Sequence, residues 1–594
     1  MKNNMIPSVI ARPISILLTV CLLPGISACS NTAQEAAVTA ATEDAAVPAG
    51  EEAKTPDTES AVTAVGPSPD AAQGASADTA DESGADGSAV PGKGLIPELH
   101  ICEREQNYFG EDYRRLKIAC HFEQLVPGDK EKEAYPELSK RLMVINDIIA
   151  TAEANTYQAA LDVLQTRKDE EDTDHPYEDT KWEIYVRRAD EDLLSFLVVT
   201  TTASYEDYNY VRYTGYNIDP KSGQDVELTD LIEDRDALSD LLTDKFMAVI
   251  KEDMSDFHPA GIDRDQLKEN LGTYFDNGEM NWTIDPQGVS FWLGSMTLAP
   301  VSAHCKILFS EDADGHIFKN VWRDSVPETW VTEFPICCRE LFDNEDDGEG
   351  DTLYITETSE YYEESDYSYI NGIRVDLNGR QFEFGQDDPY DIGFCIIHMN
   401  GKSHLFMRYR EYDYNTMQLF ELSRDKVAET DTLGGELSTD YSGYDEYDDM
   451  YVIPRRVLTD PQDLDVGVNT DLLSTCYAYG EYTITDDGRF KSLSDRLAFP
   501  ENSQHELTLK VPLRDVPVVD KETGAPTGET LDLAEGEVIK MKYTNTTDAV
   551  DCLTKKNRLI RIELGFDAEG WGRMVVAADD MSIWDVFDGM MFAG

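Results

Sequence analysis

Basic residues are scarce in this chain relative to acidic ones. Its 594 residues include 50 Lys and Arg against 117 Asp and Glu, so the formal net charge is −67 at pH 7. A surface of this sign repels nucleic acid and other anionic polymers, and it attracts cationic partners over long distances. We therefore exclude nucleic-acid binding as the main activity. Two interpretations of the acidity stay open, namely recognition of a cationic ligand and simple maintenance of solubility.

Long apolar runs are also missing after the first thirty residues. Two basic residues precede an apolar stretch over 14–23, which is shorter than the roughly 20 residues that a membrane-spanning helix needs. The letters Ile26-Ser-Ala-Cys29 that follow are typical of a lipobox, whose cysteine is acylated after cleavage. We predict a bacterial lipoprotein with a signal peptide over 1–28 and a lipidated Cys29 that tethers it to the extracytoplasmic face of the cell membrane. The alternative is an ordinary secretory signal with a chance cysteine.

Large apolar side chains are nearly absent from the segment that follows. Residues 30–94 consist mainly of Ala, Thr, Ser, Pro, Gly, Asp and Glu. Such a segment cannot bury enough apolar surface to offset the entropy of ordering it. We therefore predict that residues 29–94 form a disordered acidic stalk behind the lipidated cysteine, with a root-mean-square span of roughly 45 Å.

Motifs for catalysis and for metal binding are lacking as well. The chain has no HExxH, GxSxG or Walker sequence, and no CxxC pair. Cys395 and His398 are close in sequence, but strand positions three apart face opposite sides, which disfavours a catalytic dyad. Residues 343–348 resemble the start of a calcium-binding loop, but Tyr354 stands where that loop needs a glutamate. We predict no enzyme activity, no cofactor and no metal, and the ligand-binding residues stay unknown.

Cysteines are few, but their number permits disulfides outside the cytoplasm. Residues 100–122 are expected to form a hairpin around Gly110, which would bring Cys102 and Cys120 face to face. We predict a possible disulfide between these two. The connectivity of the rest cannot be deduced from the sequence; they are Cys305, Cys337, Cys338, Cys395, Cys476 and Cys552.

Residues 95–335 show the patterns of an α+β domain. Apolar residues alternate with polar ones at 116–122, which predicts a half-buried strand, and more strands are predicted at 182–186, 193–201 and 208–218. Pro136 opens a helix that continues to about Leu164, and Thr229 is a plausible N-cap for a second helix. Further strands are predicted at 289–293 and 305–309. Two helices against a largely antiparallel sheet result. The apolar positions predicted to face the core of the two helices are Leu138, Leu142, Ile145 and Ile149, and Leu231, Leu238, Leu242, Phe246 and Val249.

The pattern of apolar and polar residues changes after residue 335. Short alternating runs recur between 336 and 503, separated by turn pairs such as Asn378-Gly379 and Asn400-Gly401, which predicts an antiparallel meander domain. Residues 504–594 are predicted to form a third, small β unit. In that unit, Ala534-Glu-Gly-Glu-Val-Ile539 and Gly570-Trp-Gly-Arg573 resemble bacterial SH3-like modules, which often occur on cell-wall proteins.

Three segments of the first domain carry a family resemblance. They are Asp192-Leu-Leu-Ser-Phe-Leu-Val198, the stretch Thr214-Gly-Tyr-Asn-Ile-Asp219 with Gly223 and Val226-Glu-Leu-Thr-Asp-Leu231, and Trp282–Leu293 followed by Ala299-Pro300. Together they resemble the extracytoplasmic domain of RsiV-type anti-sigma factors and PdaC-type peptidoglycan deacetylases. The resemblance implies a sensing or binding domain, and in the RsiV type the ligand is lysozyme. An anti-sigma role is not expected, because only a short signal precedes the predicted lipid site, and residues 350–594 show no deacetylase pattern.

These observations favour a lipid-anchored cell-surface protein that binds a cationic, lysozyme-like protein or a cell-wall component such as peptidoglycan. The alternative is an envelope enzyme that cleaves glycan with a pair of carboxylates. Those carboxylates stay unidentified, because pairs arise by chance throughout a chain with 117 acidic residues. Tyrosines and carboxylates also cluster at 361–367 and 441–451. These clusters are either contact surfaces for sugars or cationic proteins, or solvated acidic loops.

Overall fold

The computed structural model describes residues 98–592 apart from several internal segments, so the predicted signal peptide, Cys29 and the stalk lie outside the described residues. Within this part of the chain, no helix is long and apolar enough to cross a membrane. The segments that are not described are 110–115, 167–177, 205–208, 254–262, 295–304, 311–316, 320–325, 337, 343, 345–349, 363–366, 387–388, 412–413, 439–451, 502–503 and 567–571.

The first sheet has six strands, and a long helix covers one of its faces. Five of the strands are β1 (Leu99–Phe109), β2 (Leu116–Pro127), β3 (Glu178–Ala189), β4 (Leu194–Ser204) and β5 (Asn209–Ile218). Between β2 and β3 lie the helices α1 (Asp129–Ala134) and α2 (Pro136–Thr166). Because α2 crosses over the sheet, β2 and β3 are parallel, whereas the remaining pairs are antiparallel.

The predicted periodicities of this part are confirmed. The four apolar positions predicted for the first helix are all buried, namely Leu138, Leu142, Ile145 and Ile149. On β3 the even positions Trp182, Ile184 and Val186 join the same core. Side chains on a strand alternate between its faces, so the odd positions of β3 lie on the opposite side of the sheet.

A second layer of helices and a small sheet complete the α+β part. It contains α3 (Leu228–Leu231), α4 (Arg235–Asp253), α5 (Arg264–Asn277), β6 (Trp282–Asp285), β7 (Gly288–Leu293) and β8 (Cys305–Ser310). The prediction that Thr229 caps the second helix is wrong. Thr229 lies inside the one-turn α3, and α4 begins after Asp234, whose Oδ1 accepts a hydrogen bond from the N–H of Ala237 at 3.0 Å.

Four of the positions predicted for the buried face of the second helix are buried, namely Leu231, Leu238, Leu242 and Phe246, whereas the side chain of Val249 lies outside the described residues. The prediction of only two helices is also wrong, because α5 was missed. Its N-cap Asp263 and its C-cap Gly278, at a φ of 68°, both fit the rules for helix ends. Few large apolar residues mark its buried face, and among its described residues Leu267 and Leu271 are buried.

The second half of the chain is mostly β, and its antiparallel pairing agrees with the predicted meander. Asn378, Gly379, Asn400 and Gly401 all have positive φ angles, as the predicted hairpin turns require. Its first strands are β9 (Trp330–Phe334), β10 (Arg339–Phe342), β11 (Asp351–Tyr362), β12 (Tyr367–Leu377), β13 (Arg380–Gly385), β14 (Tyr390–Met399), β15 (Lys402–Glu411), β16 (Tyr414–Ser423), β17 (Lys426–Leu437), β18 (Val452–Arg456), β19 (Leu464–Thr470), β20 (Cys476–Ile484), β21 (Phe490–Ser492) and β22 (Leu497–Ala498).

The remaining elements pair with these strands. They are β23 (Glu506–Leu509), β24 (Leu513–Val519), β25 (Pro526–Leu533), β26 (Val538–Thr544), β27 (Ala549–Thr554), β28 (Leu559–Phe566), β29 (Arg573–Val575), β30 (Met581–Ser582), the short helix α6 (Ile583–Val586) and β31 (Phe587–Asp588). Strands β10 to β13 form a sheet of four. The strands β9, β14, β15, β16 and β17 follow one another in a second antiparallel sheet, which continues through β19 and β20.

The fold does not divide at the predicted boundaries of 335/336 and 503/504. Strand β9 precedes the first boundary, yet it pairs with β14 beyond it. Strand β18 comes from the predicted meander domain, yet it pairs with β1 and completes the six-stranded sheet. One apolar core contains Ile397 and Val466 together with Leu507 and Ile560, so it runs across residue 503. The three predicted units therefore share strands and core.

The predicted pairing of Cys102 with Cys120 is wrong, although their hairpin forms. The register of β1 and β2 places Cys102 opposite Gln124 and Cys120 opposite Gln106. The two cysteines are thus four residues apart along the hairpin, or about 13 Å, whereas a disulfide needs Cα atoms within about 7 Å. Both are buried and neither is part of a disulfide.

Candidate binding cleft

A cleft opens between the six-stranded sheet and the sheet that contains β9 and β14. Its volume is about 420 Å³, which is within the range of small-molecule sites. One wall is formed by odd-numbered positions of β2, β3 and β4 with Arg455 of β18, and the other by β9, β14 and β15, while Glu357 of β11 also lines the cleft. The charged or hydroxylated side chains that line it are Glu123, Asp179, Lys181, Glu183, Tyr185, Thr201, Glu333, Glu357, Asp391, Arg408 and Arg455.

Two carboxylates at the base of the cleft replace missing strand partners. The pairing of β2 with β3 ends at Phe122 and Trp182. Beyond that point, the N–H of Ile184 donates to Oε2 of Glu123, and the N–H of Val186 donates to Oε2 of Glu333 at 2.9 Å. Unpaired backbone donors are costly when they are buried, so these carboxylates stabilise the place where the two strands diverge.

Arg455 of β18 lies between the same two carboxylates. Its Nη2 is 3.4 Å from Oε1 of Glu123, and its Nη1 is 3.3 Å from Oε1 of Glu333. The Nη2 atom also contacts the carbonyl oxygen of Ile184 at 3.5 Å. One guanidinium therefore neutralises charge contributed by both walls.

The cleft is acidic, and burial favours the protonated form of some of its carboxyl groups. Its lining includes six carboxylates and three cationic groups, a surplus of three negative charges when all are ionised. Burial raises the pKa of Glu123 to about 7, although Arg455 opposes the rise. Burial also raises the pKa of Glu183 and lifts the pKa of Tyr185 well above its ordinary value. Perturbed carboxyl groups in a cleft are typical of functional sites, although structural ion networks perturb pKa values too.

A buried network of four charged residues lies beside the cleft. The guanidinium of Arg187 contacts Asp285 at 2.7 Å and Glu340 at 3.0 Å, and Lys306 contacts Asp285 at 2.9 Å and also Glu340. The Nη1 of Arg187 donates to the carbonyl oxygen of Glu333 as well. All four charged residues are buried and two opposite pairs balance, so this network is structural and holds β9 in position.

One group of side chains in the middle of β1 and β2 could hold a metal ion. The Nδ1 of His121 lies 3.2 Å from a carboxylate oxygen of Glu105 and 3.6 Å from one of Glu103. All three ligand atoms lie within 4.8 Å of one another, and the side chains are partly exposed. The hydrogen bond to Glu103 is the largest cause that raises the pKa of His121, which shows that the carboxylates suffice to stabilise a proton there. The predicted absence of a metal stays a prediction.

Most residues singled out from the sequence lie away from this cleft. Cys395 faces an apolar core, and burial raises the pKa of its thiol well above the ordinary value. His398 instead stacks on Trp330 and contacts Oγ of Ser403 at 3.1 Å, so the two side chains face opposite sides as expected. The calcium-like segment and the two tyrosine-rich segments fall largely outside the described residues.

Sequence reasoning missed the cleft itself. The available signal was the alternation of Asp179, Lys181, Glu183 and Tyr185 on the polar side of an otherwise apolar strand. That signal does not reveal the opposite wall, because Glu333 of that wall is 147 residues away in sequence from Val186 of β3, whose N–H it accepts.

Comparisons with known proteins contribute little here. No family model matches the sequence, and a comparison with curated proteins finds no match. Among solved structures, the chain is similar to a DUF3298 family protein from Bacteroides fragilis, at 13% identity and a TM-score of 0.28, over 39% of this chain and 98% of the other. It is also similar to a DUF3298 family protein from Pseudomonas aeruginosa PAO1, at 12% identity and a TM-score of 0.25, over 38% and 94% of the two chains. Likenesses this weak carry no argument about activity.

Proposed function

We propose that this protein is a lipid-anchored binding protein of the bacterial cell surface that recognises either a cationic, lysozyme-like protein or a component of the cell wall. The anchor in this proposal is Cys29, and the RsiV-like and PdaC-like segments of the sequence suggest the partner. The observation that carries the proposal is the acidic cleft, because its surplus of carboxylates suits a positively charged ligand. The formal net charge of −67 would also steer such a ligand towards the protein.

Binding accounts for the cleft better than catalysis does. Glu123 and Glu333 each accept a backbone N–H and each contact Arg455, so both carboxylates already have stabilising roles. One observation favours the alternative, an enzyme that cleaves envelope glycan. Glu123 has a pKa of about 7, which suits a general acid. That mechanism would also require a second carboxylate about 5 to 9.5 Å away, on the other side of the scissile bond.

The SH3-like resemblance of residues 504–594 belongs to the cell-wall branch of the proposal. It predicts that the C-terminal strands contribute to wall attachment. Binding of isolated peptidoglycan by the whole chain, tested by co-sedimentation, would support this branch. If all of the protein stays in the supernatant after sedimentation with peptidoglycan, binding to the cell wall is refuted.

The first experiment is calorimetric titration with lysozyme at physiological salt. The protein is the chain from residue 29 onward carrying Cys29→Ser, which removes the acylation site. A non-muramidase cationic protein of similar size and charge serves as the control. We expect saturable one-to-one binding of lysozyme and much weaker binding of the control. Equal weak binding of both, fading with added salt, would refute specific recognition, since screening weakens contacts between exposed charges.

The enzyme alternative has its own test. Glu123→Gln keeps the shape of the side chain and removes its proton chemistry. Release of soluble glycan from peptidoglycan by the unaltered protein, lost in this variant, would establish the enzyme and displace the binding proposal. We expect no release by either protein.

A further inference from the structure

Two carboxylates and a phenol that line the cleft have polar atoms without a hydrogen-bond partner among the described residues. The Oδ1 atom of Asp179 is buried and has no hydrogen-bond partner. Within the described residues, the side chains of Glu183 and Tyr185 make neither a hydrogen bond nor an ion pair, although both line the cavity. Buried polar atoms in native proteins are nearly always hydrogen-bonded, so the unpaired Oδ1 of Asp179 beside this cavity indicates a place for a donor.

These acceptors lie side by side on one face of β3. They occupy odd positions of the strand, and Lys181 lies on the same face between Asp179 and Glu183, because residues two apart on a strand share a face. The opposite wall presents Asp391, whose carboxylate is half exposed and accepts a hydrogen bond from Arg408 at 3.2 Å. A group between the two walls therefore meets carboxylates on both sides.

Arg455 shows how this cleft accommodates a guanidinium group. It lies between Glu123 and Glu333 at 3.4 and 3.3 Å and contacts a backbone carbonyl. Its charge is already shared by these two carboxylates, so it leaves the acceptors along β3 unpaired. Guanidinium and ammonium groups carry only donors and a positive charge, which complements the carboxylate oxygens of Asp179 and Glu183 that line the cavity.

We infer that the cleft receives one cationic side chain of the partner, an arginine guanidinium or a lysine ammonium group, between Glu183 on β3 and Asp391 on β14. The inference rests on the proposed function and specifies how its ligand is recognised. Access is open, because Lys181, Glu357 and Asp391 are exposed at the rim. The volume of about 420 Å³ leaves room for a long side chain together with several waters.

The test is the affinity of a dye-labelled peptide of four arginines, measured by fluorescence anisotropy at physiological salt. The variant is Glu183→Gln, which removes one charge and keeps the shape. Glu481→Gln is the matched control, because Glu481 is exposed on β20 and does not line the cleft. We expect Glu183→Gln to weaken binding at least tenfold, about 1.4 kcal/mol, and Glu481→Gln to change it less than twofold. Thermal unfolding of both variants checks that they are folded.

Equal affinities of the two variants would overturn the inference. The same chemistry occurs in free polyamines, so spermidine is titrated in parallel; tight spermidine binding without peptide binding would overturn the assignment to a protein side chain. Lysozyme separates the two proposals. Lysozyme binding that Glu183→Gln leaves unchanged would refute this inference and support the proposed function. Peptide binding that depends on Glu183, without lysozyme binding, would support this inference and refute lysozyme as the ligand.

Discussion

Replacement of Arg455 by methionine tests whether the two walls of the cleft depend on one guanidinium. Methionine keeps most of the aliphatic volume and removes the charge. Glu123 and Glu333 would then lose the cation that lies 3.4 and 3.3 Å from them. Their other contacts, the N–H groups of Ile184 and Val186, would remain. The variant therefore removes the positive charge together with one contact of 3.5 Å to the carbonyl oxygen of Ile184.

The expected loss of stability follows from the burial of the three side chains. They are only 21%, 13% and 12% exposed for Arg455, Glu123 and Glu333, so solvent screens them weakly. Removal of one partner from a buried ion pair costs about 3–5 kcal/mol, and the partial exposure lowers this to about 2–3 kcal/mol at pH 8. An exposed pair such as Arg374 with Glu383 contributes at most about 1 kcal/mol.

The loss should also depend on pH. The folded-state pKa of Glu123 is raised from 4.5 to about 7, so its carboxyl group is protonated at pH 5 in the folded protein and ionised at pH 8. Arg455 therefore neutralises two carboxylates at pH 8 and chiefly Glu333 at pH 5. We expect the loss to be smaller at pH 5 by about 1 kcal/mol, since a shift of one pKa unit corresponds to about 1.4 kcal/mol.

Urea unfolding of the unaltered protein, Arg455→Met and the control Arg374→Met at pH 5 and pH 8 measures these differences. A loss in Arg455→Met no larger than that in Arg374→Met would refute the reasoning. So would an equal loss at the two pH values, because it would mean that Glu123 does not titrate between them.

Two further predictions concern the scaffold. Glu153 on α2 is buried, and burial alone raises the pKa of its carboxyl group to about 7 in the folded protein. The folded state therefore favours the protonated carboxyl group. The ionised group does not reduce the free energy of unfolding below pH 4.5, and it reduces it fully above pH 7. The free energy of unfolding of Glu153→Gln should therefore be about 2 kcal/mol higher than that of the unaltered protein at pH 8 and almost the same at pH 4. Urea unfolding curves of the two proteins that coincide at pH 8 would contradict this. Gly215 lies against β6 so closely that a Cβ would be 2.0 Å from the carbonyl oxygen of Trp282, whereas a Cβ at Gly565 would meet nothing within 4 Å. Gly215→Ala should cost about 3 kcal/mol or more and Gly565→Ala less than about 0.5 kcal/mol, and similar melting temperatures of the two variants would be inconsistent with that contact.

The local patterns in this sequence were sufficient to predict most elements of the α+β part. The spacing of Leu138, Leu142, Ile145 and Ile149 predicted one face of α2, because a helix repeats every 3.6 residues whatever it packs against. Strand alternation and the Asn-Gly pairs located the hairpins, because both signals depend on residues that are close together along the chain. The errors arose where a neighbouring signal was ambiguous: Thr229 and Asp234 are both acceptable caps, and only the structure shows which one begins α4.

Pairings between distant segments could not be predicted in this way. The disulfide prediction depended on a hairpin register, and Cys102 faces Gln124 instead of Cys120. The domain boundaries failed because β9 and β18 each pair with a sheet on the other side of a predicted boundary. Antiparallel pairing depends on backbone hydrogen bonds, which any residue except proline can donate. The residue types of β18 therefore do not reveal which strand it pairs with.

By itself, the sequence determined the sign of the charge, the alternation of polar groups on β3 and the periodicity of the long helix, all of which depend on residues close together along the chain. Only the tertiary structure decided that Arg455 lies against Glu123 and that Glu183 faces a cavity. The physical reason is that a pKa and an ion pair depend on burial and on distance in space. Neither the burial nor these distances arise until β18 pairs with β1 and until β9 and β14 form the opposite wall.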